Sequence, residues 1–204
     1  TGVTVNGDLT LSAANARVKI EGGTTFSTAH MSGNSSSLGF APGQTLAGTI
    51  LFEGVNTGIR TVEMNSSSGT FTIGATGVIR TEVGFAGSAQ IGPGSQFGGN
   101  MTLVNNGLIS SQVSGRTITV GPISFTNNAT AEATGGGILT INATNWSNAA
   151  TGTITGTAST LTFSGAWSNP GSMTLTGGTM NFGGTFTTAG IGTFNNIGGT
   201  VNIT

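Results

Sequence analysis

The chain contains no cysteine, no tyrosine, four prolines, one histidine and only eleven charged side chains, five basic and six acidic, in 204 residues. Each shortage excludes something. Without cysteine there is no disulfide framework, no thiolate metal site and no thiol chemistry. Helix formers with charged heads are nearly absent, which excludes bundles and coiled coils. A net charge of −1 gives no electrostatic basis for binding nucleic acid or an anionic membrane. No apolar run approaches the roughly 18 residues needed to cross a bilayer, so no transmembrane segment is expected, and no signal peptide is visible. A start at Thr1 rather than Met suggests a processed product or an excised segment. What is abundant is Gly (37), Thr (37), Ser (20) and Asn (18), together 112 of 204 residues. With 35% hydrophobic residues, this is not the composition of a disordered chain. Four prolines and irregular glycine spacing exclude collagen. An all-β chain with many turns remains.

The C-terminal half repeats itself. Phe125, Trp146, Trp167 and Phe186 are spaced 21, 21 and 19 apart, and Leu103 lies 22 before Phe125. Two residues after these positions stand Asn105, Asn127, Asn148 and Asn169, with Thr188 breaking the series. Each unit closes on an apolar-polar-apolar triplet, such as Leu139-Thr140-Ile141 or Leu161-Thr162-Phe163. Period-two alternation inside a longer repeat means short strands with one apolar face, separated by Gly and Asn turns. A unit of about twenty residues cannot enclose a core alone, but stacked units can, each advancing about 4.8 Å. The fold expected is a single-stranded parallel β-solenoid of roughly nine or ten coils, about 45 Å long. The Phe/Trp column is expected to form an internal aromatic ladder, with a sugar-stacking platform of Trp146 and Trp167 as the alternative, and the Asn column an amide ladder that satisfies turn backbone.

The whole of 1–204 reads as one solenoid, with regular 19–22-residue repeats over 101–204 and less regular coils over 1–100. Gly77-Val78-Ile79 resembles Gly107-Leu108-Ile109, at a spacing longer than the regular repeat. The stretch 32–44, with three consecutive serines and a proline, is expected to protrude as a loop.

The pattern Asn-x-Gly/Ala-x-x-x-(Ile/Leu), followed by glycine-rich turns and Leu-Thr-(Ile/Phe), resembles the repeats of large secreted bacterial β-helical proteins. Filamentous-haemagglutinin-type adhesins and autotransporter passengers are the familiar examples. The likeness covers about 101–204 well and the rest loosely. It implies a right-handed β-helix, export, and an extracellular or cell-surface setting, and it carries over no catalytic residue.

Chemistry is sparse. Hydrolases of this architecture need paired carboxylates, and lyases need acidic calcium ligands with a base. One Asp, one Lys and one His, all near the N-terminus, make such clusters hard to assemble, and residues 133–204 carry no charge. Ile59-Arg60-Thr61 and Ile79-Arg80-Thr81 lie 20 apart, with Glu53, Glu63 and Glu82 nearby. These five charged residues are expected to form a surface ion-pair ladder, with a glycan-binding or weakly catalytic patch as the alternative. His30 is expected in an ordinary loop. No catalytic, metal or cofactor residue is assigned. Thr153/Thr155 and Thr174/Thr176 look equivalent on adjacent coils, the kind of array ice-binding solenoids use, but only two coils deep.

Both ends read as uncapped strands, which suggests a segment of a longer solenoid or a subunit that stacks head to tail. The expected function is non-enzymatic: an extracellular structural or adhesive rod that self-associates or meets cell-surface glycans or proteins. A polysaccharide-active or glycan-binding β-helix is the main alternative, and an ice-binding solenoid the lesser one.

Overall fold

The computed structural model describes residues 2–204 and is built almost wholly of short parallel strands. They stack into three ladders that wind around one core. Ladder A contains Leu9–Leu11, Thr28–Met31, Thr49–Phe52, Val78–Thr81, Leu108–Ser111 and Thr130–Ala133, then the first halves of Thr153–Phe163 and Ser172–Phe182, and Thr193–Ile197. Ladder B contains Arg17–Ile20, Ser37–Phe40, Ile59–Met64, Ser88–Gly92, Thr117–Val120 and Ile138–Ile141, then the second halves of the same two long strands, and Thr200–Ile203. Ladder C contains Thr45–Leu46, Gly69–Ile73, Met101–Asn105, Ser124–Asn127, Asn145–Asn148 and Ala166–Ser168. One coil is a pass through A, B and C. Ladders A and B each hold nine levels and ladder C six, which gives a stack about 40 Å high at about 4.8 Å per coil.

The register fixes the length of each coil. Leu9, Ala29, Ile50, Ile79, Ile109, Ala131, Ile154, Met173 and Phe194 share one column of ladder A. Two steps in that column, from Ile50 to Ile79 and from Ile79 to Ile109, are markedly longer than the rest. The likeness of Gly77-Val78-Ile79 to Gly107-Leu108-Ile109 is thus a true register pair. This is the parallel β-solenoid implied by the triplets, whose inward residues are buried and whose middle residue faces out. In coil 6, for example, Leu139 and Ile141 are fully buried while Thr140 between them is half-buried. The interior is a continuous column of Leu, Ile, Val, Met and Phe side chains. Fully burying one such side chain stabilises by about 1.5–3 kcal/mol, and the stacking repeats that gain coil after coil.

Two departures from the expected layout have a physical reason. Residues 32–44 are not a protruding loop: they run turn, strand Ser37–Phe40, turn, and all four strand residues are buried. Ser37 faces outward, but the excursion at 93–99 covers it. That excursion, inserted between Gly92 of ladder B and Met101 of ladder C, folds back as a strap over ladder B. The Phe97 ring lies over Gly39, where a Cβ would stand 2.6 Å from the ring, and Lys19 places its ammonium 5.4 Å from the same ring. Gly39 is therefore glycine for packing space, not for a turn.

Candidate functional site

Ladder A's outer face and its borders gather half of the chain's ionisable groups, because outward positions repeat at one-coil intervals. His30 lies in strand Thr28–Met31 between Asp8, one coil before, and Glu53, one coil after. Its Nδ1 is 3.1 Å from Glu53 Oε1 and its Nε2 is 3.4 Å from Asp8 Oδ2. The hydrogen bond with Glu53 raises the His30 pKa above its ordinary 6.5; burial, the next effect in size, opposes it, and the charge of Glu53 and the hydrogen bond and charge of Asp8 add to the rise. The sequence separations, 22 to Asp8 and 23 to Glu53, were the available signal, each close to one coil. The trio does not converge on a point, since the imidazole turns opposite nitrogens to the two acids. Among the described residues, no group of three His, Cys, Asp or Glu is placed to hold a metal ion.

Further along the same face, Arg80 Nη2 pairs with Glu82 Oε2 at 2.6 Å. The Glu82 carboxyl also accepts the Val83 N–H at 2.9 Å. That backbone hydrogen bond, reinforced by Arg80, holds its pKa below the ordinary value. Such a group is an ion-pair member and is poorly suited to act as a general acid, which needs the opposite shift. Gln112 donates to Ser110 and Ser110 donates to Glu132, linking coils 5 and 6.

The five-residue patch Glu53, Arg60, Glu63, Arg80 and Glu82 does not form as one surface. Arg60 belongs to ladder B, level with Ala89, whereas Arg80 belongs to ladder A, level with Leu51 and Ser110. The coil between Ile50 and Ile79 is a long one, so a spacing of one regular repeat leads from one ladder to the other. Arg60 is fully buried. It donates to the carbonyls of Asn56 (2.7 Å), Gly58 (2.5 Å), Ser32 (2.9 Å) and Glu53 (3.1 Å), and its guanidinium lies 5.2 Å from the Phe85 ring centre. Burial lowers its pKa. Nε has no partner. A Cβ on Gly87 would sit 2.1 Å from Nη1, so glycine is required there to admit the guanidinium.

Glu63 is equally buried. Its carboxylate accepts the backbone N–H groups of Ser95 (2.7 Å), Gln96 (2.9 Å) and Phe97 (3.0 Å), and the hydroxyl of Ser37. It anchors the strap. Arg60 and Glu63 thus brace the fold from within instead of facing a ligand. Arg116 does similar work at the next corner, donating to the Ala86 carbonyl at 2.7 Å.

Ladder C holds the two side-chain columns. Phe125 is level with Trp146, and Trp146 with Trp167; the indoles stack 5.1 Å apart, and Phe186 stacks on Trp167 at 4.6 Å. Both indole N–H groups donate inward, to the carbonyls of Ser164 and Gly183 at 2.8 Å each. The four asparagines are buried. Asn105 donates to Asn127 at 2.7 Å, Asn127 to Asn148 at 2.8 Å and Asn148 to Asn169 at 2.6 Å. Each Nδ2 also reaches backbone carbonyls, for example that of Thr130 from Asn105 at 2.9 Å and that of Thr193 from Asn169 at 3.1 Å.

Outside, ladder C bears no charged residue in any of its six strands. Its outward side chains are short, and a shallow open groove of about 410 Å³ crosses three coils over Ser124, Thr126, Asn145, Ser147 and Ser168. On ladder A, Thr153, Thr155 and Thr157 stand level with Ser172, Thr174 and Thr176. The expected match of Thr153/Thr155 with Thr174/Thr176 is therefore displaced by one outward position, because Thr153 pairs with Ser172. Glu132, Asn195 and Ile197 interrupt the array on either side.

Comparison with known proteins brings no match: no family model, no curated protein and no solved structure aligns with this chain. The likeness to secreted β-helical adhesins is one of repeat pattern, and the fold stands on the ladders themselves.

Proposed function

We propose that the chain is a non-enzymatic structural rod of an extracellular or cell-surface setting, acting by rigid presentation of its faces and by accepting further coils at its sheet edges. One observation carries the reading. Four of the five charged residues that could have made a surface patch are withdrawn from ligands: Arg60 and Glu63 are fully buried as braces, and Arg80 and Glu82 are paired with each other. The final strands, Thr193–Ile197 and Thr200–Ile203, pair on one side only within this chain. Such an edge is a template for another parallel strand, from a continuing chain or a second copy. Low charge favours the contact, since stacking like surfaces then meets little repulsion. Electron microscopy of the concentrated chain tests this. Filaments of one width with an axial repeat of about 4.8 Å support the reading, and dispersed particles at every concentration sink the stacking part of it.

A glycan-binding role for the same rod is supported by the uncharged groove on ladder C, whose hydroxyl and amide lining suits neutral sugars. Affinity electrophoresis in a neutral glucan gel reads it out: retardation that Ser147→Glu abolishes supports the role, and unchanged mobility contradicts it.

A further inference from the structure

We propose that Asp8, His30 and Glu53 form an acid-strengthened clasp across the first three coils, so that the first coil is held more tightly at mildly acidic than at alkaline pH. The argument begins with donors and acceptors. An ionised carboxylate only accepts, and a neutral imidazole has one donor nitrogen and one acceptor nitrogen. His30 faces a carboxylate with each nitrogen, at 3.1 Å and 3.4 Å. Neutral, it satisfies one acid and turns a lone pair toward the other. Protonated, it donates to both in charge-assisted bonds that cross two inter-coil gaps. The raised pKa of His30 agrees with this geometry.

Few other charges act on the imidazole. The strands packed against Thr28–Met31 are Leu9–Leu11 and Thr49–Phe52, and neither contains an ionisable residue. Arg80 and Glu82, one coil beyond Glu53, are paired with each other at 2.6 Å. Arg60 holds the carbonyls of Ser32 and Glu53 from inside, at 2.9 Å and 3.1 Å, and so fixes the backbone that carries the Glu53 side of the clasp.

The first coil needs such help. It pairs with the second through three residues of ladder A and four of ladder B, whereas the bridge at its third side, Thr25, is made to Thr4 in the segment before it. Leu9 and Val18 are only partly buried against the core. An element with so few registered bonds opens locally before the rest. The sign follows from a folded pKa above the unfolded value. The clasp's contribution is full below about 6.5, the unfolded value, and is lost as pH rises through the higher folded pKa.

Hydrogen exchange of the intact chain, corrected for intrinsic rates, tests the clasp at pH 5.5 and 8.5. Protection of Leu9–Leu11 and Arg17–Ile20 is expected to fall about three- to tenfold between the two, with no matching fall in Ile138–Ile141. In His30→Gln the fall disappears, and in Glu53→Gln it shrinks. An equal fall in wild type and His30→Gln overturns the proposal. So does an imidazole that titrates at or below 6.5 by NMR. Neither result touches the rod reading, which the filament experiment decides separately.

Discussion

At the scale of the residue, the two buried charges carry the sharpest consequences. Among the described residues Arg60 has no carboxylate partner; four backbone carbonyls and one aromatic face solvate its charge. Arg60→Met fills the volume but orphans those carbonyls. Because a buried charge network is being broken on one side, the loss is expected at about 3–5 kcal/mol, read as a lower denaturant midpoint. A loss under about 1 kcal/mol would show that the carbonyls find other donors. Glu63 is different, because its donors belong to a surface strap. Glu63→Ala is expected to release residues 93–99, so limited proteolysis should cut there while the core resists. Gly39→Ala should do the same more weakly, since its Cβ collides with the Phe97 ring rather than with the carboxylate anchor. Intact straps in both variants would contradict this account of the insertion.

At the scale of the element, the asparagine column shows how polar groups are accommodated in a core. In coils 2 and 3 the same column holds Leu46 and Ile73, and Ile73 stands level with Asn105. The position therefore accepts an apolar side chain; what it does not accept is a gap in an amide chain. Asn127→Ile is expected to cost about 2–4 kcal/mol, because Asn105 loses its acceptor and the carbonyls of Ala129 and Thr153 lose a donor. Replacing Asn105, Asn127, Asn148 and Asn169 together should cost well under four times that amount, since no amide is then left half-bonded. Additive losses in thermal melts would argue that each amide acts alone on its own turn.

The same elements show what the sequence made legible. From Met101 onward the Leu103, Phe125, Trp146, Trp167 column and its asparagines were readable, and their spacing is the true register. There the corners are short and nearly constant, so one period serves all three ladders. Upstream, the long steps from Ile50 to Ile79 and from Ile79 to Ile109 break the phase. That is why Arg60 and Arg80 looked like neighbours. Residues 32–44 looked like a loop because Ser-rich, Pro-containing sequence hides a strand whose outer face is covered by a distant segment. The strap itself was hidden because Ser95, Gln96 and Phe97 are held by a carboxylate far back in the chain, a link no local pattern reveals. His30 was hidden for a simpler reason: Asp8 and Glu53 are remote in sequence and meet it only through coiling.

At the scale of the whole molecule, charge is sorted along the axis and around it. The first six coils carry the acids and bases, chiefly on ladders A and B, and residues 133–204 carry none. The uncharged end is the one whose last strands expose Ile197 and Ile203 at 53% and 76%. The proposed contact there is heterologous, joining one kind of edge to another along the stacking axis, and a heterologous contact whose rotation does not close builds open chains. Salt should therefore change assembly little, because screening acts on charges that this edge lacks.

Head-to-tail stacking, the role proposed for this chain, is decided by sedimentation velocity over a hundredfold range of concentration. The expected result is an open series of increasingly elongated species that lengthens with concentration and is nearly indifferent to salt. A single species of about 20.1 kDa at every concentration would contradict it.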